Sequence, residues 1–301
     1  ELLDVTARVR RLADLPAISE PLSAVADRQN QPVRSTTSVS NDSPVRRPQR
    51  PSAAQTMTTS GGASETPHPG SDTETGPPAA PRPRGNSDLP SIYNNRVATD
   101  RKSRAERYGG NARTEAAVRA ALKWLAANQS SDGRWNASAL GAGLETNVAG
   151  HDRAGAGAQA DTGVTGLALL AFLAAGHTHL EGTYREHVQR GLEYLLSVQR
   201  PNGNLGGPAR IFATMYCHGM ATFAVSEAYA MTGDERLRPS VERAVAYTVA
   251  AQHPSSGGWR YQPGDLGDLS QFGWQVMALK SAELAGVEVP QQTQDGMIRF
   301  L

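Results

Sequence analysis

The feature that most limits how this chain can fold is a joint that recurs three times. "QSSDGRW" begins at Gln129, "QRPNGNL" at Gln199 and "QHPSSGGW" at Gln252, each closing an amphipathic run. Glycine follows as Gly133, Gly203 or Gly257, and Trp135, Leu205 or Trp259 comes two residues later. A motif that returns in the same relation to its flanking segments marks a repeat architecture. Glycine permits a left-handed turn. The glutamine amide is expected to satisfy orphan backbone groups at helix ends. The tryptophan is expected to cover that polar cluster and exclude water.

The runs between the joints have helical spacing. "TEAAVRAALKWLAANQ" puts Val118, Leu122 and Leu125 on one face, with Ala121 beside them and Glu115, Arg119 and Lys123 opposite. "TYREHVQRGLEYLLSVQ" does the same with Val188, Leu192, Leu195 and Leu196. "DERLRPSVERAVAYTVAAQ" does so with Leu237, Val241, Val245 and Val249. Pro239 is tolerable only in a first turn, so that helix begins near Arg236 or later. One-sided helices belong on an outside. Between them, "DTGVTGLALLAFLAAG", "IFATMYCHGMATFAVSEAYAMTG" and "DLSQFGWQVMALKSAELAG" are apolar on nearly every side and must be covered on every side. The expected N-caps are Asp161, Asp234 or Ser240, and Asp268 or Ser270; the expected stops are Gly176, Gly233 and Gly286. The alternation of outer and inner helices reads as an all-α, two-layered α/α solenoid of about three helix pairs.

Composition divides the chain into an arm over residues 1–110 and a folded domain over 111–301. From Gln29 to Ser87 the text is Pro, Ser, Thr, Gly and Arg without Leu, Ile, Phe or Trp, and is expected to be disordered. A short helix is expected near residues 1–28, and "PVRRPQRP" (44–51) can serve as an interaction segment. No run of about 20 apolar residues marks a membrane span. The start at Glu1 and the end at "DGMIRFL" read as cuts through a longer chain, so membrane contact is left open to upstream sequence, and localisation is unassigned. The formal charge of +1 argues neither for nor against nucleic acid. The basic residues of the folded half alternate with acids on helix faces instead of forming a phosphate-tracking stripe, and no nucleic acid is expected as a partner. The single cysteine, Cys217, precludes an internal disulfide.

"QSSDGRW" resembles the Q-x-x-x-G-x-W repeat of squalene and terpene cyclases, whose relatives include the β subunits of protein prenyltransferases. The resemblance covers roughly residues 113–301 and implies an α/α toroid, here partial. Three stretches, "ADTGVTGLALLAFLAAGHT", "MYCHGMATFAVSEAYAMTGD" and "SGGWRYQPGDLGDLSQFGWQVMALKSA", also look like a bacterial group of squalene-cyclase-like proteins of undefined activity. The second joint departs from the pattern with Leu205 for tryptophan, and the third carries an extra residue before Gly257.

Function is a separate question from fold. The resemblance implies a D-x-D-D acid motif for proton-initiated cyclisation, and this chain has none. Catalytic candidates are Asp161, His218 and Asp268. Asp161 and Asp268 are also candidate caps, and His218 is also a candidate buried structural histidine. Prenyltransferases imply zinc held by Asp-x-Cys and a distant His. Cys217 lacks that aspartate, and adjacent His218 points about 100° away on a helix. No metal and no cofactor are expected. Cavity candidates are Tyr216, Glu227, Trp274 and Gln275, with His151, Asp152 and Arg153 in a glycine-rich loop at a cavity mouth. The expected function is a toroid domain binding a hydrophobic small molecule or a peptide without the acid motif. One alternative is an isoprenoid cyclase or transferase with its catalytic residues partly in the missing portion. Another is a polysaccharide-acting toroid using two of Asp152, Asp161, Asp265 and Asp268 at about 5 to 9 Å.

Overall fold

A computed structural model describes residues 89–97, 100–144, 147–148 and 151–301. The expected arm up to residue 88, with its short helix near 1–28, lies outside the described residues. The described chain is helical. After a 3-10 turn at Ser91–Tyr93 come α1 (Asn94–Val97), α2 (Arg101–Arg107) and α3 (Ala112–Ala127). A two-residue antiparallel hairpin follows, β1 (Asn147–Val148) with β2 (His151–Asp152), pairing Asn147 with Asp152 and Val148 with His151. It adds a small strand pair to the expected all-α chain. Then come α4 (Asp161–Ala174), α5 (Arg185–Ser197), α6 (Thr214–Thr232), α7 (Arg238–Ala251), α8 (Leu269–Leu284) and α9 (Gln291–Phe300).

The apolar helices form the inner layer, with α6 packed between α4 and α8. Helix α5 backs α4, and α7 backs α6 and α8. Two glycines draw α4 and α6 together: a Cβ at Gly163 would meet Cys217 Sγ at 3.0 Å, and one at Gly166 would meet the Met220 carbonyl oxygen at 2.7 Å. On α5, Val188, Leu192 and Leu195 are buried, each contributing about 1.5–3 kcal/mol relative to exposure. The same face of α7 buries Val241 and Val245.

Helix α3 departs from its expected face. Leu122 is buried and Leu125 partly so, but Val118 is 38% exposed and Ala121 faces solvent. This helix lies at the edge of the layers and makes few contacts with α4, so only its later turns are covered.

The caps are partly as expected. Asp268 caps α8, its Oδ1 accepting the Gln271 N–H at 2.8 Å. Gly176, Gly233 and Gly286 end α4, α6 and α8 with φ of 84°, 64° and 84°. Asp161 is the first residue of α4 rather than its cap. Helix α7 starts at Arg238 after Leu237, so neither Asp234 nor Ser240 caps it. Asp234 instead binds His179 Nε2 at 2.9 Å, tying the turn after α6 to the loop after α4. Burial by itself would push the Asp234 carboxyl up, but hydrogen bonds from Arg236 and His179 outweigh it and hold it at about 2.

The expected boundary at residues 110 and 111 does not coincide with the packing. Tyr93 is 1% exposed and joins the core. A Cβ at Gly176 would overlap the carbonyl oxygen of Arg96. The polar composition around residues 89–97 conceals a segment that docks through two side chains.

Candidate functional site

The three joints are built to one plan. Gln129 Nε2 donates to the Gly133 carbonyl at 2.8 Å and to the His187 carbonyl at 2.9 Å. Gln199 Nε2 does so to Gly203 and Ser240, and Gln252 Nε2 to Gly257 and Thr293. His187, Ser240 and Thr293 are each the third residue of the next outer helix. The sixth residue faces the glycine. A Cβ at Gly133, Gly203 or Gly257 would overlap the carbonyl oxygen of Arg190, Arg243 or Gly296. Arg190 and Arg243 also donate to the glutamine Oε1, each at 2.8 Å. The glutamine thus clasps one outer helix to the next.

The carbonyl at the end of the preceding helix is taken by the indole instead. Trp135 Nε1 donates to the Leu125 carbonyl and Trp259 Nε1 to the Thr248 carbonyl, each at 2.8 Å. Leu125 and Thr248 stand four residues before Gln129 and Gln252. Both indoles are wholly buried. Leu205, equally buried, has no such donor.

Behind the first two joints an inner helix supplies a polar side chain. The Trp135 N–H donates to Thr165 Oγ1 at 3.0 Å, and the Leu205 N–H to His218 Nδ1 at 3.1 Å. Since Nδ1 accepts, the His218 proton sits on Nε2 and is donated to Thr248 Oγ1 at 2.8 Å, which in turn donates to the Ala244 carbonyl. His218 is wholly buried, and burial pushes its imidazole down to about 3. Both ring nitrogens are engaged in the joint, and the ring faces the outer layer.

The opposite face of α4 and α6 is open near their N-terminal ends. There the chain forms a pocket of about 580 Å³. Val164 and Leu167 of α4, Tyr216 and Met220 of α6, Phe212 and Leu144 make its apolar wall. The glycine-rich loop contributes Gly141, Gly143, Arg153 and Gly157. Among its described lining residues there is no carboxylate. Leu144 is 83% exposed and Leu167 41%, which is uncovered apolar surface at the mouth.

Of the candidates drawn from sequence whose side chains are described, Tyr216 and Arg153 line this pocket and the others do not. Tyr216 meets Ser270 through its hydroxyl. Cys217 is buried at the wall, and burial pushes its thiol up to about 11. Asp161 Oδ1 accepts the Ala137 N–H at 2.8 Å and Oδ2 lies 3.4 Å from Arg134. Glu227 is buried under Tyr93, Arg96 and Ser281. Gln275 is buried and donates to the Met215 carbonyl at 2.9 Å, and half-buried Trp274 packs on Gly219. Asp152 accepts the Ala154 N–H and Asp265 the Gln262 N–H. The side chain of His151 lies outside the description. Sequence reasoning missed Val164, Leu167, Phe212 and Met220. The signal available was the glycine pair in "DTGVTG", which brings two helices close enough to share a groove.

A family profile described as "Squalene-hopene cyclase C-terminal domain" matches residues 104–214. The chain carries a squalene-cyclase-like domain. The matched stretch includes the first two joints, the hairpin loop and all of α4 and α5, and the family is one of α/α toroids. No curated protein and no solved structure matches the chain. Among the described residues, no cluster of three His, Cys, Asp or Glu side chains in this squalene-cyclase-like domain is placed to hold a metal. No described helix is long and apolar enough to cross a membrane.

Proposed function

We propose that the squalene-cyclase-like domain binds a hydrophobic small molecule in the pocket between α4 and α6, without a proton donor of the cyclase type. The observation that carries this reading is the pocket wall itself. It is mostly apolar, about 580 Å³ in volume, and built by a closely packed helix pair as well as by loops, within the usual range for small-molecule sites. The absent D-x-D-D motif supports binding over cyclisation. So does the engagement of Asp161 by Ala137 and Arg134. A peptide needs an elongated groove, with backbone partners for a strand or a row of apolar anchor sites for a helix, and the small apolar pocket favours a compact ligand.

The test is calorimetric titration of decanol into the full chain and into Leu167→Asp and Met220→Asp variants. Saturable binding by the parent chain, weakened about ten-fold or more by either aspartate, supports the proposal. Absence of binding by the parent chain, or equal binding by all three, sinks it.

A further inference from the structure

The apolar pocket shares a wall with a second cavity of about 320 Å³; Arg153, Ala156 and Phe212 line both. The second cavity differs in chemistry, because Arg210 and Gln159 line it together with Arg153. The Arg153 guanidinium lies 4.7 Å from the Phe212 ring centre and 5.9 Å from that of Tyr261. A guanidinium stacked by its face keeps its in-plane N–H donors available, in the fork that matches phosphate or carboxylate. Arg210 is exposed. Among the described residues, no carboxylate lies within ion-pair distance of either guanidinium. The carboxylate nearest in sequence, Asp152, is turned onto the Ala154 N–H at 2.7 Å.

The backbone gives an independent sign at the same place. Ala154 (φ 49°) and Ile211 (φ 23°) are the described non-glycine residues with positive φ. Each directly follows one of the two arginines, and both line the second cavity. Such conformations carry strain and gather at ligand sites.

We infer that the two cavities form one amphipathic site. It takes a ligand whose apolar tail lies between α4 and α6 and whose anionic head, phosphate or carboxylate, lies between Arg153 and Arg210. This rests on the reading of the apolar pocket and adds the class of head group.

Decyl phosphate, decanol and inorganic phosphate are titrated calorimetrically into the full chain and into an Arg210→Gln variant. Decyl phosphate is expected to bind at least about ten-fold more tightly than decanol or inorganic phosphate, and the variant to lose most of that preference over decanol. Equal affinity for decanol and decyl phosphate, or an unchanged preference in the variant, overturns the anionic head while leaving the apolar pocket in place. Inorganic phosphate binding as tightly as decyl phosphate identifies a free-anion site and overturns the joined site. Failure of both decyl compounds to bind overturns the pocket reading and this inference together.

Discussion

The Tyr93 hydroxyl donates to Glu227 Oε1 at 2.7 Å across 134 residues of sequence. Ser281 of α8 donates to the same oxygen at 2.8 Å, and Arg96 pairs with the other. A carboxylate on an apolar inner helix is costly to bury unless it is paired and hydrogen-bonded. Here three donors from two distant parts of the chain meet that cost. Glu227 is therefore the anchor that holds the segment around Tyr93 and Arg96 against the helical layers.

Removing one partner leaves others unpaired, so the anchor is sensitive to either end. Glu227→Ala strands Tyr93 and Arg96 and is expected to lower stability by about 3–5 kcal/mol. Tyr93→Phe keeps the ring and removes one donor, costing about 1–3 kcal/mol. Urea unfolding of the full chain checks both. A Glu227→Ala chain as stable as its parent contradicts the anchor.

The joints make a sharper contrast among glycines. Alanine at Gly133 or Gly203 must take a positive φ and also overlap the carbonyl of Arg190 or Arg243. The cost is expected to reach about 3 kcal/mol or more. Gly141 has a φ of 89° but nothing within 4 Å of a built Cβ. Gly141→Ala therefore meets only the conformational penalty, about 1–2 kcal/mol. Equal losses at Gly133 and Gly141, measured by thermal and urea unfolding, contradict the close approach.

His218 links stability to pH. Burial holds its imidazole at about 3 in the folded chain, against 6.5 ordinarily. Below pH 6.5 the unfolded chain binds the proton and the folded chain does not. The stabilisation is present in full above 6.5 and is lost as pH falls toward 3, by up to about 1.4 kcal/mol per pH unit. His218→Gln is expected to flatten the fall between pH 6 and 4 by about one proton's worth. Urea unfolding at stepped pH shows the difference, and identical slopes in variant and parent contradict it.

Much of this arrangement was legible in the residues. The period of Val188, Leu192 and Leu195 against the all-round apolarity of "DTGVTGLALLAFLAAG" separates outer from inner helices, because burial imposes that pattern directly. The glutamine joints were legible as a repeat, but their division of labour was not. Which carbonyl the amide takes and which the indole takes depends on the neighbouring outer helix, 41 to 58 residues away. Asp161 reads locally as a cap because it opens a helix, yet its carboxylate serves Ala137 across a loop. His218 could be placed on an inner helix but not on one of its faces, since an apolar helix gives no moment to orient it. The site was the least legible part. Leu167 and Met220 look like core residues until the layers show Leu167 41% exposed and Met220 only half-buried, both at the pocket.

The central claim is that a hydrophobic ligand sits against Met220. The chain has six methionines, Met57, Met215, Met220, Met231, Met277 and Met297, and 13C-methyl labelling makes each an NMR probe. Met220 lines the pocket, whereas Met231 is buried beside Arg96 and Met297 lies on α9. Titrating decanol is predicted to shift the Met220 methyl saturably while Met231 and Met297 stay in place. A Met220 resonance that does not move, or methyl shifts spread evenly over all three, would contradict the account.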